Sequence, residues 1–333
     1  MTEFEPLPTP SDELTIDGLT IGHGSDLEGK TGVTVVLCPE GATAAAVVRG
    51  SGAGTRQFDS LTQPHHLANK AHAVVLSGGS GFGLSSADAV VDHLRLGGFG
   101  FDTGVGVVPL VPTAILFDLA FGDANAIPTR GLVESAVGSA TAGRVEVGSV
   151  GAGTGATVGK ALGLRQGMKG GFGFVSLAGS DGPTVAAAVA VNAYGDVRDP
   201  ETGKTMAGCR AAPDSNQLVG ADRVLAQLQP ETNHSWESNT TLAVVLTDAQ
   251  LSKTELRKVC DMAFGGLYRA LDPALSLYDG DMVVALATGK TPAHVHRVGV
   301  LAQEAIAQAI VRAVKEADGF GLLPTWRDLD REE

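Results

Sequence analysis

The chain has 333 residues and carries 24 Lys+Arg against 37 Asp+Glu, a formal net charge of −13 that leaves no basic patch for phosphates and sets nucleic acid aside as a partner. Its 45 glycines and 5% aromatic content predict close backbone approach in place of bulky packing, and glycine without a period excludes a collagen-like repeat. Met1 to Leu14 is acidic and Pro-rich with no apolar h-region, and no later stretch reaches the roughly 18 uncharged apolar residues of a membrane span, so the expectation is a cytoplasmic globular protein with a loose N-terminal arm and no membrane partner.

In chain order, Val33 to Leu37 and Ala73 to Leu76 have strand length and β-branched content, and each ends in Gly, Pro or Ser. Between Ser86 and Leu96, apolar Ala87, Val90, Val91 and Leu94 recur at helical spacing. Thr184 to Val191 reads as a strand, and Asp199 to Gly203 as a turn. Residues 213 to 239 are polar, the pattern of a surface loop or linker. Leu242 to Leu246 is again an apolar strand, after which Ser252-Lys253-Thr254-Glu255 is a capping box opening a helix towards Ala270. A new unit therefore begins near residue 240. The last helix is predicted from Val298 to Ala317, with Ile306, Ile310 and Val314 one turn apart and a stop at Gly319. Strands alternating with helices make this an α/β protein. Cys38, Cys209 and Cys260 are odd in number and widely spaced, which predicts free buried thiols.

Several motifs invite chemistry. Gly148 to Lys160 is Gly-rich, but a phosphate loop needs Gly where Thr154 stands and Ser or Thr where Ala161 stands; a tight turn lining another pocket fits better. Gly78-Gly79-Ser80-Gly81-Phe82-Gly83 misses the spacing of a nucleophile elbow because Phe82 occupies the last Gly position. His65-His66 and His294-Val295-His296 lack the carboxylate or Cys companions of a zinc site, so no metal and no cofactor is expected, and these histidines are read as solvated or capping. Asp279-Gly280-Asp281 is ordinarily a turn; alternatively, carboxylates at i and i+2 share a face at a strand end and can share a proton. Asn239-Thr240-Thr241 lies between the polar segment and a buried strand. A Thr freed as a chain N-terminus has its own α-amine as general base and needs no histidine.

Taken together, Gly54-Thr55-Arg56, Leu76 to Leu84, Pro112 to Leu119, Gly151 to Lys160 and Asn239 to Asp248 resemble the self-processing N-terminal-nucleophile aminopeptidases and amidases. That family includes the DmpA-type D-aminopeptidases, the β-peptidyl aminopeptidases and the NylC-type nylon-oligomer hydrolases, and the chain looks closest to the last branch. The resemblance implies a four-layer αββα sandwich, of the type shared with ornithine acetyltransferases. It also implies autocleavage between Asn239 and Thr240, giving fragments 1–239 and 240–333 that form one compact fold, with Thr240, before Thr247-Asp248-Ala249, as nucleophile. It further implies that Asn192 helps form the oxyanion hole, that Lys160 is an active-site lysine, and that Asp279 and Asp281 are the two site carboxylates. All three tyrosines, Tyr194, Tyr268 and Tyr278, lie later than the site Tyr of some relatives. The implied substrate is a linear oligoamide of 6-aminohexanoate cut at internal bonds. The rival readings are an aminopeptidase or amidase of the same fold, an acyltransferase of ornithine acetyltransferase type, and a non-enzymatic binding module. A homotetramer of cleaved units is the implied assembly.

Overall fold

The computed structural model describes residues 6–52, 54–179, 182–229 and 239–329. The elements that position the site are β1 (Thr20–Asp26), β2 (Thr31–Val48), β3 (Lys70–Ser77), α1 (Ser86–Leu96), β4 (Thr113–Ile115), α2 (Arg130–Gly138), β5 (Gly171–Ala178), β6 (Thr184–Asn192), β7 (Thr240–Gln250), α3 (Lys253–Ala270), β8 (Met282–Pro292) and α4 (Val295–Lys315). A 10-stranded sheet runs Pro10–Ser11, β5, β6, β7, β8, β2, β3, β4, Thr55–Arg56, with β1 paired on β2. Strand β2 serves both halves: Thr43–Val48 pair with β8, whereas Thr31–Leu37 pair with β1 and Val33–Leu37 with β3. The register shifts between Leu37 and Ala42, where Gly41 takes φ 78°, so the chain passes from one half-sheet to the other.

Side-chain alternation sorts the core into three slabs. Val175, Val189, Val245 and Val283 join Leu256, Phe264, Ile306 and Ile310 of α3 and α4. Their sequence neighbours Phe174, Val244 and Val284 turn the other way, to Val36, Val74 and Leu76. Beyond these, Val33, Val35 and Val75 meet Val90 and Leu94 of α1 and Val133 and Ala136 of α2. Helices, half-sheet, half-sheet, helices: this is the four-layer αββα sandwich. Each such side chain contributes about 1.5–3 kcal/mol on burial. The low aromatic content has its counterpart in the outer slabs, where helix backbone lies directly on strand backbone. A Cβ at Gly173 would come within 1.8 Å of Ala309 O, and one at Gly22 within 1.9 Å of Ala136 O. Either glycine replaced by alanine would force its helix away from the sheet.

The predicted strands and the helix Ser86–Leu96 are present, and the Ser252/Glu255 capping box forms with both reciprocal bonds. Two expectations need correction. Helix α4 begins three residues before Val298, because His294 caps it by accepting from His296 N at 3.2 Å; the polar first turn hid its start from an apolar count. The segment after Pro213 is anchored over its described part. Ala221–Leu225 is helical, and Ala221 N donates to the buried Asp196 carboxylate at 2.9 Å. Arg210, 2% exposed, holds the carbonyls of Arg165, Gly167 and Pro213. Residues 230–238, the part read as linker next to the proposed cut, lie outside the described residues. Cys38, Cys209 and Cys260 are free and buried. No helix among the described residues is long and apolar enough to cross a membrane.

Candidate active site

Thr240 opens β7, the strand flanked by antiparallel β6 and parallel β8, and it is 3% exposed. Its register partner on β6 is Asn192, and Asn239 bridges in parallel to Asp279. The strand ends therefore bring three of the implied residues together: Asn192 on one side, the Asp279-Gly280-Asp281 turn on the other, and Thr240 between. The Thr240 hydroxyl donates to the Asn239 carbonyl oxygen. That carbonyl also accepts from Gly280 N at 2.8 Å, and Asn239 N donates to Tyr278 O at 2.8 Å. A Cβ on Gly280 would lie 2.7 Å from Thr240 Oγ1, so this residue must be glycine for the hydroxyl to sit where it does.

The carboxylate turn is held by backbone donors. Asp281 Oδ1 accepts from Thr241 N at 2.7 Å and Oδ2 from Leu275 N at 3.2 Å. Asp279 Oδ1 accepts from Tyr194 N at 3.1 Å, and Oδ2 from Ser276 N at 3.0 Å and Ser276 Oγ at 2.5 Å. The Asp281 carbonyl takes Arg49 N and Gly50 N, and the Asp279 carbonyl Ser51 N and Gly52 N. Both carboxyls are 1% exposed. Burial, then the neighbouring Asp279 charge, pushes Asp281 up to about 8, and burial also raises Asp279. Two carboxyls this close in a dry site do not both ionise freely, as the i, i+2 spacing suggested.

On the opposite side the Gly-rich segment forms a tight turn ending in Thr157–Val158 and Lys160. Lys160 Nζ donates to Asn192 Oδ1 at 2.8 Å, Thr157 Oγ1 at 3.0 Å and Asn192 O at 3.3 Å. Thr157 N also donates to Asn192 Oδ1, at 3.0 Å. With its oxygen so occupied, the Asn192 amide nitrogen points the other way and donates to Phe117 O at 3.0 Å. A narrow cleft of about 10 Å³, room for about one water, opens here and is lined by Asn239, Thr157, Lys160, Phe117, Asp118 and Phe121. A larger cavity of about 660 Å³ lies between Asp12, Glu201 and Arg312 and contains none of these residues, whereas the cleft is lined by Asn239 and Lys160.

Asp118, Thr157 and Lys169 were not singled out from sequence. Asp118, 4% exposed, accepts from Gly79 N at 2.7 Å and Thr31 Oγ1 at 2.8 Å, and burial lifts it to about 6. The signal available for Lys169 is its isolation, a single charge between Gln166 and Ala178. The Gly78–Gly83 segment serves Asp118: Gly79 is left-handed and presents its N–H to that carboxylate. His294 and His296 stack at a helix start, and His66 faces Asp59; none of them lines the cleft. Tyr194 and Tyr278 pack ring to ring, 5.1 Å apart, next to the carboxylate turn.

Solved structures share this arrangement of layers. The Burkholderia sp. beta-aminopeptidase superposes with a TM-score of 0.69 over 98% of this chain and 97% of its own, at 20% identity. The L-aminopeptidase D-Ala-esterase/amidase of Ochrobactrum anthropi, described as a variant of the Ntn-hydrolase fold, gives 0.69 over 97% and 93%, also at 20% identity. The class is thus a mixed α/β protein with an Ntn-hydrolase-type fold. Residues 13–321 match the model of peptidase family S58, and the chain belongs to that family, whose members hydrolyse amide bonds. An uncharacterized aminopeptidase of Mycobacterium leprae is 36% identical over 96% of this chain and 94% of its own. The 6-aminohexanoate-oligomer endohydrolase of Paenarthrobacter ureafaciens is 26% identical over 90% and 84%. Of these two relatives, the chain shares more identity with the one named an uncharacterized aminopeptidase than with the nylon-oligomer endohydrolase.

Proposed function

We propose that the chain cuts its own backbone between Asn239 and Thr240 and that the freed Thr240 then hydrolyses amide bonds through an acyl-enzyme. The observation that carries this reading is the shared carbonyl: Asn239 O contacts the Thr240 hydroxyl and accepts from Gly280 N at 2.8 Å. Thr240 Oγ attacks the Asn239 carbonyl carbon, the C–N bond breaks, and the hydroxyl proton passes to the departing amine. Gly280 N–H supports the oxyanion. Water then hydrolyses the ester, leaving an Asn239 carboxylate and a free Thr240 α-amine. In turnover that amine, with a reference pKa of about 7.7–8.0, is the general base, and the Asp279/Asp281 pair exchanges protons with it. Asn192 Nδ2 has a second proton for the substrate oxyanion, and Lys160 adds positive charge beside it.

For substrate, the enclosed Asp281 favours internal cleavage of 6-aminohexanoate oligomers. It is 1% exposed and, unlike Asp118, does not line the cleft, so it does not serve as an anchor for a free ammonium. A second reading, aminopeptidase action on short peptides or amino acid amides, is favoured by the Asp118 carboxyl on the cleft wall and by the 36% identity to aminopeptidase-named relatives. Mass spectrometry of purified protein is expected to give fragments 1–239 and 240–333 for wild type and an intact, inactive chain for Thr240→Ala. A wild-type chain that stays whole sinks the scheme. Hydrolysis of N-acylated oligomers supports internal cleavage; activity confined to free-amine substrates assigns the aminopeptidase reading.

A further inference from the structure

We propose that Lys169 is a positioning residue for amide hydrolysis: its buried ammonium grips the peptide between Ala156 and Thr157 and, through that peptide, aims the Asn192 side chain at the reacting carbonyl. The inference rests on the reading above, in which Asn192 supports the substrate oxyanion.

Lys169 has no exposed surface and pairs in antiparallel register with Thr157, and its Nζ lies 5.5 Å from the ring centroid of Phe121, which lines the cleft. Its Nζ donates to Gly153 O at 2.8 Å, Ala156 O at 2.8 Å and Gly170 O at 3.1 Å. Three carbonyl acceptors take the three protons of an ammonium; a neutral amine has only two. Burial draws Lys169 down to about 7, with Lys160 adding to that fall; Asp118 and Asp318 oppose it, and the three carbonyls and the Phe121 ring face the cation directly.

The Ala156 carbonyl matters most. In a trans peptide the N–H points opposite to the C=O, so the plane whose oxygen faces Lys169 presents Thr157 N–H to Asn192 Oδ1, at 3.0 Å. A cation on the carbonyl end polarises the plane and strengthens the bond at its other end. Asn192 Oδ1 is thereby fixed between Thr157 N–H and the Lys160 ammonium, and the amide nitrogen is turned towards Phe117 and the cleft. Lys169 acts on the substrate only through this relay.

The self-cut uses Gly280 N–H at the Asn239 carbonyl, so it does not draw on the Asn192 relay. Lys169→Met is therefore expected to mature at a rate within about twofold of wild type while kcat falls by roughly tenfold to a hundredfold with KM nearly unchanged. In an Asn192→Ala background the same substitution is expected to change kcat by less than about twofold, because the group it positions is gone. Lys169→Gln, which keeps two donors without charge, is the second variant and is read by the same criteria. Equal losses in both backgrounds, equal slowing of maturation and turnover, or failure of both variants to fold makes Lys169 a stability residue and overturns the inference with the Thr240 reading intact. A wild-type kcat in Asn192→Ala removes the relay's target and overturns it too, whereas a wild-type chain that never matures refutes the Thr240 reading itself.

Discussion

Thr240 lies between two turns built on opposite electrostatic plans. The Asp279-Gly280-Asp281 turn brings carboxyls to the nucleophile and holds them with N–H groups from Thr241, Tyr194, Leu275 and Ser276. The turn from Gly151 to Lys160, with Met168–Lys169 paired on it, brings two ammonium groups and holds them with oxygens, those of Asn192 and Thr157 for Lys160 and three backbone carbonyls for Lys169. Each side neutralises its buried charge by the half of the peptide group that suits it. The carboxylate side tolerates one missing charge, because a protonated Asp281 still accepts both of its hydrogen bonds. The lysine side has no such reserve, since each ammonium proton has its own acceptor. Function on the first side should therefore follow proton occupancy, and on the second geometry.

The largest effect should come where the carboxylate turn touches the nucleophile. Gly280→Ala puts a Cβ 2.7 Å from Thr240 Oγ1, and self-cleavage followed by gel densitometry is expected to slow at least about a hundredfold in a folded chain. Cleavage at the wild-type rate would show that the hydroxyl does not need that space. On the other side, Asn192→Ala and Lys160→Ala should each lower kcat by about 10²–10³-fold, with the thermal midpoint shifting far less than loss of core packing would cause. A large midpoint loss with normal turnover in the surviving fraction would make both residues structural.

A smaller effect separates the two plans by pH. Asp281 is raised in the fold to about 8 from the usual 3.8, so its protonated form is the one the fold favours. Its stabilising contribution is full below about pH 4 and is lost as pH rises towards 8. Asp281→Asn removes that slope, and its midpoint relative to wild type should rise between pH 4 and pH 8 while turnover falls. Parallel midpoint curves would contradict the buried, proton-holding carboxyl. Smallest of all, Ser252→Ala lies outside both turns and removes the cap of α3; a loss of about 1 kcal/mol by denaturant titration with unchanged kcat is expected.

The sequence by itself determined the local pieces. Continuous apolar runs of strand length placed the strands from Val33, Ala73, Thr184 and Leu242, the Ser252/Glu255 spacing gave a formed capping box, and Asp279 and Asp281 are close because they are two residues apart. The blocks from Gly54 to Asp248 taken together were enough to recognise the family, since the order of short motifs along a chain is a one-dimensional pattern. Tertiary structure alone decided what meets across the sheet. Asn192 and Thr240 are 48 positions apart and become register partners only when β6 and β7 pair. Asp118 reaches Thr31 across 87 residues, and Lys169 becomes a buried cation because the turn it faces folds back on it. Hydrophobic periodicity records which face of an element is buried; it holds no information on which carbonyls converge on a charge. That convergence depends on how strands are ordered and how closely glycine lets backbones approach, and so only the folded chain could identify Lys169 and Asp118.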